Sequence, residues 1–306
     1  MASRFGKAGG GNAGLAIVMA TWQGAGFIAA QLASLAAQTR RPDQLVVSDD
    51  GSTDATVALV EAFAASAPFP VTIQRNETRL GYAANFIAAT SRTAADIVLF
   101  ADQDDIWLPG KIAAMGAALE TGRDLVVGHD IALIDAAGQL KVPSYFRQLA
   151  ADRLPPSLCI KGCSLGFRRE LITSWGWPGP GSGVSHDLWI ASLAMAAGRR
   201  GVLDQVLVEH RLHGANASGW FVRRDKLHAV RRVLRDVTPF RGWAERDVFL
   251  ECYFPAARAL RPDDLVAEMS RCPALADARA LAGFAHAAFF HRAFMRYVPA
   301  ARQRQV

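Results

Sequence analysis

At 306 residues, 51% of them hydrophobic and 20% charged, the chain reads as an ordinary globular protein of one large or two modest domains. Its 34 Lys and Arg against 28 Asp and Glu give a net charge of +6, which favours anionic partners without naming one. No apolar run is long enough to span a bilayer, and Cys159, Cys163, Cys252 and Cys272 have neither the paired spacing of a zinc site nor the number for a disulfide framework, so the reduced thiols of a cytoplasmic protein are expected.

In chain order, residues 1–14 are Gly-rich, lack the apolar segment of a signal peptide and read as a flexible lead-in. From Leu15 short apolar runs alternate with helical periodicity, the pattern of a mostly parallel sheet flanked by helices. Strands are predicted over 15–20, 44–48, 71–74 and 97–101, with helices over 27–38, 55–66, 82–91 and 111–120. Further strands are expected over 124–130 and 158–167, a Gly and Pro-rich loop over 175–183, and a helix opening at His186 and Asp187. Past Gly214 strand signals vanish and the remainder reads as a helical appendage. Its basic stretch 221–235 is expected to be a solvated helix face in preference to a membrane or nucleic-acid surface.

The first four predicted strands all end in polar or Gly-containing segments, so their carboxyl ends line one crevice, where open α/β sheets bind ligands. At the second end, "VVSDDGSTDAT" sets Asp49 and Asp50 beside a turn, with Asp54 near a helix start. An Asx turn and helix cap account for Asp54. The adjacent pair exceeds what capping needs and points to ligand contact.

At the fourth end, "LFADQDDIWLP" brings Asp102, Asp104 and Asp105 together. Like charges so close disfavour one another's ionised forms unless a cation or hydrogen bonds compensate. On an extended chain Asp102 and Asp104 share a face while Gln103 points elsewhere, and two hard oxygen donors on one side suit Mg2+ or Mn2+. Asp105 is expected to serve as an acidic cap for the following helix. Further on, taken singly, Asp187 reads as a first-turn acid and His213 as a surface histidine in a loop.

Taken together, "VMATWQG", "VVSDDGSTDAT", "RLGYAANF", "ADQDDIWLPGK", "KGCSLGFRREL", "SHDLWIA" and "EHRLHGAN" follow in an order that resembles the inverting family 2 glycosyltransferases of GT-A fold, in particular their rhamnosyltransferase-like branch. The resemblance covers residues 15–219 and implies a nucleotide-sugar-binding half over 15–130, an acceptor-binding half over 131–219 and a helical region over 220–306. It implies that Thr21, Asp49 and Asp50 hold the donor nucleoside, that Arg79 faces its base or diphosphate, and that Asp102 and Gln103 also contact the nucleotide sugar. Asp102 and Asp104 match the family's Asp-X-Asp motif, which holds Mn2+ or Mg2+ against the diphosphate; His213 matches a further metal ligand, and His210 a structural position. Asp187 matches the catalytic base, while Gly162, Cys163, His186 and Trp189 fall at the acceptor wall.

By the same resemblance the donor is dTDP-rhamnose or a UDP-sugar. The acceptor is a saccharide or lipid-linked saccharide of a bacterial cell-surface polysaccharide, with no role for nucleic acid. The expected location is cytoplasmic, with the C-terminal helices as candidates for peripheral contact with the inner face of the plasma membrane. The chain departs from the common pattern at Trp22 and Gln23, where Tyr and Asn are frequent, and at His210, where an aromatic residue often precedes the arginine. Rival readings are an inactive nucleotide-sugar or carbohydrate-binding module, and a sugar nucleotidyltransferase, for which "TWQGAGFIAAQ" lacks the Gly-rich, Arg-containing loop.

Overall fold

A computed structural model describes residues 14–151, 159, 161–175, 185–196 and 200–214. The expected lead-in, the loop over 176–183 and the C-terminal helices lie outside the described residues.

The strands β1 (Leu15–Thr21), β2 (Gln44–Asp49), β3 (Val71–Arg75) and β4 (Ile97–Asp102) alternate with the helices α1 (Ile28–Ala36), α2 (Thr56–Ala64) and α3 (Tyr82–Thr90). "LAIVMAT" of β1 and "IVLFAD" of β4 are near-continuous apolar runs because helices cover both faces of the sheet. Leu15, Ile17, Met19, Ile97 and Leu99 are fully buried and join Ile28, Leu32 and Leu35 of α1 in the core.

β1 pairs in parallel with β2 on one side and with β4 on the other, so the chain leaves β1 in two directions and opens a crevice at the carboxyl ends. The register places Thr21 against Asp49 and Ala20 against Asp102, so the polar residues that close these strands stand side by side.

The second half of the sheet is mixed. β5 (Ile106–Trp107), β6 (Val126–Asp135), β7 (Leu140–Val142), β8 (Leu165–Arg168) and β9 (Arg200–Leu212) complete the nine strands found among the described residues, in the order β3-β2-β1-β4-β8-β6-β9-β5, with β7 on β6. The remaining helices are α4 (Lys111–Glu120), α5 (Tyr145–Ala151), α6 (Glu170–Trp175) and α7 (His186–Ala196). β8 runs antiparallel to both β4 and β6, whereas β6 and β9 are parallel.

One expectation is corrected here, and one element was missed. The segment 158–167 is not one strand: a 3-10 turn at Gly162–Ser164 precedes β8, because Ser164 N–H and its hydroxyl both bond back to the Lys161 carbonyl. The missed element is β9, which carries His210 and ends at Leu212, just before His213; its first half is half-buried or exposed and so lacks a clear apolar alternation. Cys159 and Cys163 are free thiols within the core. Among the described residues no helix is long and apolar enough to cross a membrane.

Candidate active site

The rim of the crevice is built by side chains that hold backbone. Asp49 accepts hydrogen bonds from the Thr21 hydroxyl at 2.7 Å, the Ser52 hydroxyl at 2.6 Å and the Ser52 N–H at 2.8 Å. Asp50 accepts from the N–H groups of Leu80 at 2.7 Å and Gly81 at 2.8 Å, the latter at a φ of +82° that glycine adopts without strain. The residues expected to touch a nucleoside are thus seen to hold the loops of the rim. Asp54 behaves as expected, accepting the Thr56 N–H at 3.0 Å in an Asx turn that starts α2.

Gln103 turns its amide onto the Trp22 backbone, accepting from N–H and donating to C=O, both at 2.9 Å. This extends the β1–β4 pairing by one side-chain bridge. Gly24 makes it sterically accessible, since a Cβ there would lie 2.3 Å from the Gln103 amide oxygen. The Arg79 guanidinium stacks 3.7 Å above the ring of Trp22, which is 43% exposed at the mouth. Trp22 entered the sequence reading only as a departure from the family pattern; its place on the rim follows from the Gln103 clamp.

The three acids at the end of β4 diverge. Asp102 sits half-buried at the strand tip, and desolvation, followed by repulsion from Asp105 and Asp104, pushes its carboxyl up to about 8. Asp104 is raised for the same two reasons, but His213 opposes the shift through a contact of 2.7 Å between Asp104 Oδ2 and His213 Nε2. His213 is not a surface residue: its side chain is 13% exposed and stacks on Phe27 with ring centroids 4.7 Å apart.

Asp105 does not cap α4, whose preceding residue is Gly110. It is fully buried and accepts from His210 Nδ1 at 2.8 Å and the Arg211 N–H at 3.1 Å. Burial works against its charge, yet the His210 charge and these hydrogen bonds hold it below the usual carboxylate range. His210 is raised in return by Asp105, against its own burial. The cross-strand pairing of Ile106 with Glu209 and Trp107 with Val208, carried one residue further, sets Asp105 opposite His210.

One group of candidate cation donors and one further pair therefore lie close together. Ligand atoms of Asp102, Asp105, Cys163 and His210 fall within 4.8 Å of one another. In that inner set burial holds the Cys163 thiol well above its usual value, and Asp105 is already engaged by His210, whereas a metal needs the thiolate. The outer pair, Asp104 and His213, in contact with each other at 2.7 Å and next to Asp102, offers one carboxylate oxygen and one imidazole nitrogen, donors that suit Mn2+ better than the all-oxygen shell of Mg2+.

Across the crevice, α7 opens with Asp187, whose carboxylate accepts from the Ser185 hydroxyl and adds to the repulsion on Asp102. The preceding His186 is buried, stacked on Phe86 at 4.4 Å and edge-on to Phe100 at 4.8 Å. A Cβ on Gly162 would lie 3.1 Å from His186 Nε2, so the turn at Gly162–Ser164 packs directly on this imidazole. Gly162, Cys163, His186 and Trp189, the residues expected at the acceptor wall, are all buried.

Lys111 escaped the sequence reading. It is fully buried, lies 3.6 Å from the Trp107 ring centroid and donates to the Cys163 carbonyl; burial lowers its ammonium to about 7. The one available signal was a Lys directly after Pro-Gly at the head of an apolar helix.

Comparison with known proteins gives a consistent picture. The family description "Glycosyl transferase family 2" matches residues 16–174. The uncharacterized glycosyltransferase alr2836 of Nostoc sp. is 26% identical over 218 residues, 66% of each chain, and the dTDP-rhamnosyl transferase RfbG of Shigella flexneri is 37% identical over 98 residues, 31% of this chain and 34% of that protein. The chain thus spans just under two thirds of the first relative and about a third of the second. Among solved structures, the mannosyltransferase PcManGT from Pyrobaculum calidifontis in complex with GDP-Man and Mn2+ matches with TM-score 0.55 at 21% identity, over 94% of this chain and 88% of that one. S. aureus TarS in complex with UDP-GlcNAc matches with TM-score 0.54 at 17% identity, over 92% and 91% of the two chains.

Proposed function

The chain belongs to glycosyl transferase family 2, and from that premise we propose that it is a metal-dependent inverting glycosyltransferase, moving a sugar from a nucleoside diphosphate to a hydroxyl of a saccharide acceptor. The observation that carries this reading is the meeting of Asp104 with His213 beside Asp102 at the carboxyl ends of the sheet, with Asp187 close enough to raise the neighbouring Asp102. The donor is dTDP-rhamnose or a UDP-sugar, and the acceptor a saccharide or lipid-linked saccharide of a cell-surface polysaccharide. The similarity to RfbG supports the deoxysugar, and the complexes of TarS and PcManGT support a nucleotide-sugar donor on this fold.

Breaking the bond between sugar C1 and phosphate leaves negative charge on the departing diphosphate. Asp104 and His213 would hold Mn2+ or Mg2+, with Asp102 beside them; bound there, the ion neutralises that charge. The rim formed by Thr21, Asp49, Asp50 and Gln103, with Arg79 stacked on Trp22, receives the nucleoside and fixes the donor's orientation. Asp187, oriented by the Ser185 hydroxyl, accepts the proton of the acceptor hydroxyl as its oxygen attacks C1. A single in-line displacement inverts the anomeric centre, so no residue needs to form a covalent bond to the sugar.

The test is release of nucleoside diphosphate from dTDP-rhamnose, UDP-glucose and UDP-GlcNAc with and without Mn2+, in the presence of bacterial glycolipid extracts. Release that depends on both Mn2+ and the extract is expected for one donor. Tight donor binding with no release from any of them would mean a binding module instead.

A further inference from the structure

Four side chains from three separate segments close a ring around the outer donor pair. Phe27 precedes α1, Asp104 follows β4, and Arg211 and His213 lie at and just past the end of β9. The Phe27 and His213 rings stack at 4.7 Å with an interplanar angle of 21°. His213 Nε2 meets Asp104 Oδ2 at 2.7 Å. Arg211 Nε donates to the Asp104 backbone carbonyl at 2.9 Å, and its guanidinium returns to Phe27 at 5.3 Å from the ring centroid. Arg211 Nη1 also donates to the Ala136 carbonyl at 3.0 Å, which anchors this end of β9 to the turn between β6 and β7.

An imidazole on a strand end can rotate about its side-chain torsions, and a carboxylate after a strand end moves with its peptide. Stacking removes the first freedom by fixing the ring plane. The bond from Arg211 to the Asp104 carbonyl removes the second. Residues that orient a metal ligand commonly alter metal affinity by about 10–100-fold when changed. From this closed ring we propose that Phe27 and Arg211 are positioning residues that preset His213 and Asp104 for a divalent cation. The inference rests on the metal role proposed above for that pair, and extends it to two residues that carry no ligand atom themselves.

Arg211 makes the idea decisive, because geometry and charge predict opposite results. A guanidinium near a cation site repels the cation, so its removal by charge alone would tighten binding. Loss of positioning weakens it.

The experiment titrates Mn2+ into the full chain with UDP present, follows bound ion by electron paramagnetic resonance, and records melting curves in parallel. Arg211→Met and Phe27→Leu are expected to weaken Mn2+ binding about 10-fold or more, whereas Phe27→Tyr, which keeps the stacked ring, stays near wild type. Arg211→Lys, which keeps the charge but not the fork, is expected to resemble Arg211→Met. Unchanged or tighter Mn2+ binding in Arg211→Met and Phe27→Leu overturns the inference, including where the melting temperature falls, since that marks a purely structural role. A wild-type chain that binds no Mn2+ overturns the metal role of Asp104 and His213 as well, so the two failures are told apart.

Discussion

His213 Nε2 lies 2.7 Å from Asp104 Oδ2 although 109 positions separate the two residues. The contact brings together the segment after β4 and the residue just past the end of β9. Its neighbour, the contact of Asp105 with His210, does the same one residue deeper. Two consecutive aspartates thus have different tasks, one facing the crevice and one holding the strands that frame it.

Replacing Asp104 by Asn removes charge from the proposed metal ligand while keeping its shape. Calorimetric titration of a nucleoside diphosphate with and without Mn2+ is expected to show the Mn2+-dependent part of binding lost, and the metal-independent part kept. A variant whose binding still responds fully to Mn2+ would exclude Asp104 as a ligand.

Asp187→Asn keeps a hydrogen-bond partner for Ser185 but cannot take a proton at neutral pH. Turnover is expected to fall by about 10²–10⁴-fold, with donor affinity nearly unchanged. Wild-type-like turnover would remove the base assignment.

Asp105→Asn leaves His210 buried against a neutral amide. Breaking a buried charged pair by removing one partner typically costs about 3–5 kcal/mol, so urea unfolding is expected to show a loss of that order. A midpoint within experimental error of wild type would mean that the pair does not hold β5 to β9.

Lys111→Met tests a pH dependence. Burial lowers the ammonium of Lys111 from 10.5 to about 7, so between those values the unfolded chain holds the proton that the folded chain has released. Stability from this group therefore rises with pH through that window, and its burial penalty is greatest below about 7. The Met variant is expected to be more stable than wild type at pH 7, with the difference narrowing by pH 9. An advantage that stays constant or widens would contradict it.

The alternation of apolar runs and helical periodicity made the first four strands legible, because parallel strands buried on both faces leave an unbroken hydrophobic signal. β9 gave no such signal. Its residues Arg200–Leu212 are half-buried or exposed through the first half, and it is ordered by pairing with β6 from Val126–Arg200 to Asp135–Leu212, a long-range partnership that no local window contains. The roles of Lys111 and Asp105 are hidden for a related reason: Lys111 carries no local signal, Asp105 reads as a helix cap, and only a partner from a distant segment makes their burial tolerable.

Residue types and spacing alone thus determined an α/β chain with acids at the tips of its second and fourth strands, since both are written along the chain itself. Which acid meets which histidine was decided by tertiary structure. The register of β5 against β9 sets Asp105 opposite His210 and carries Arg211 and His213 to Asp104. A shift of one residue would turn each of these side chains to the other face.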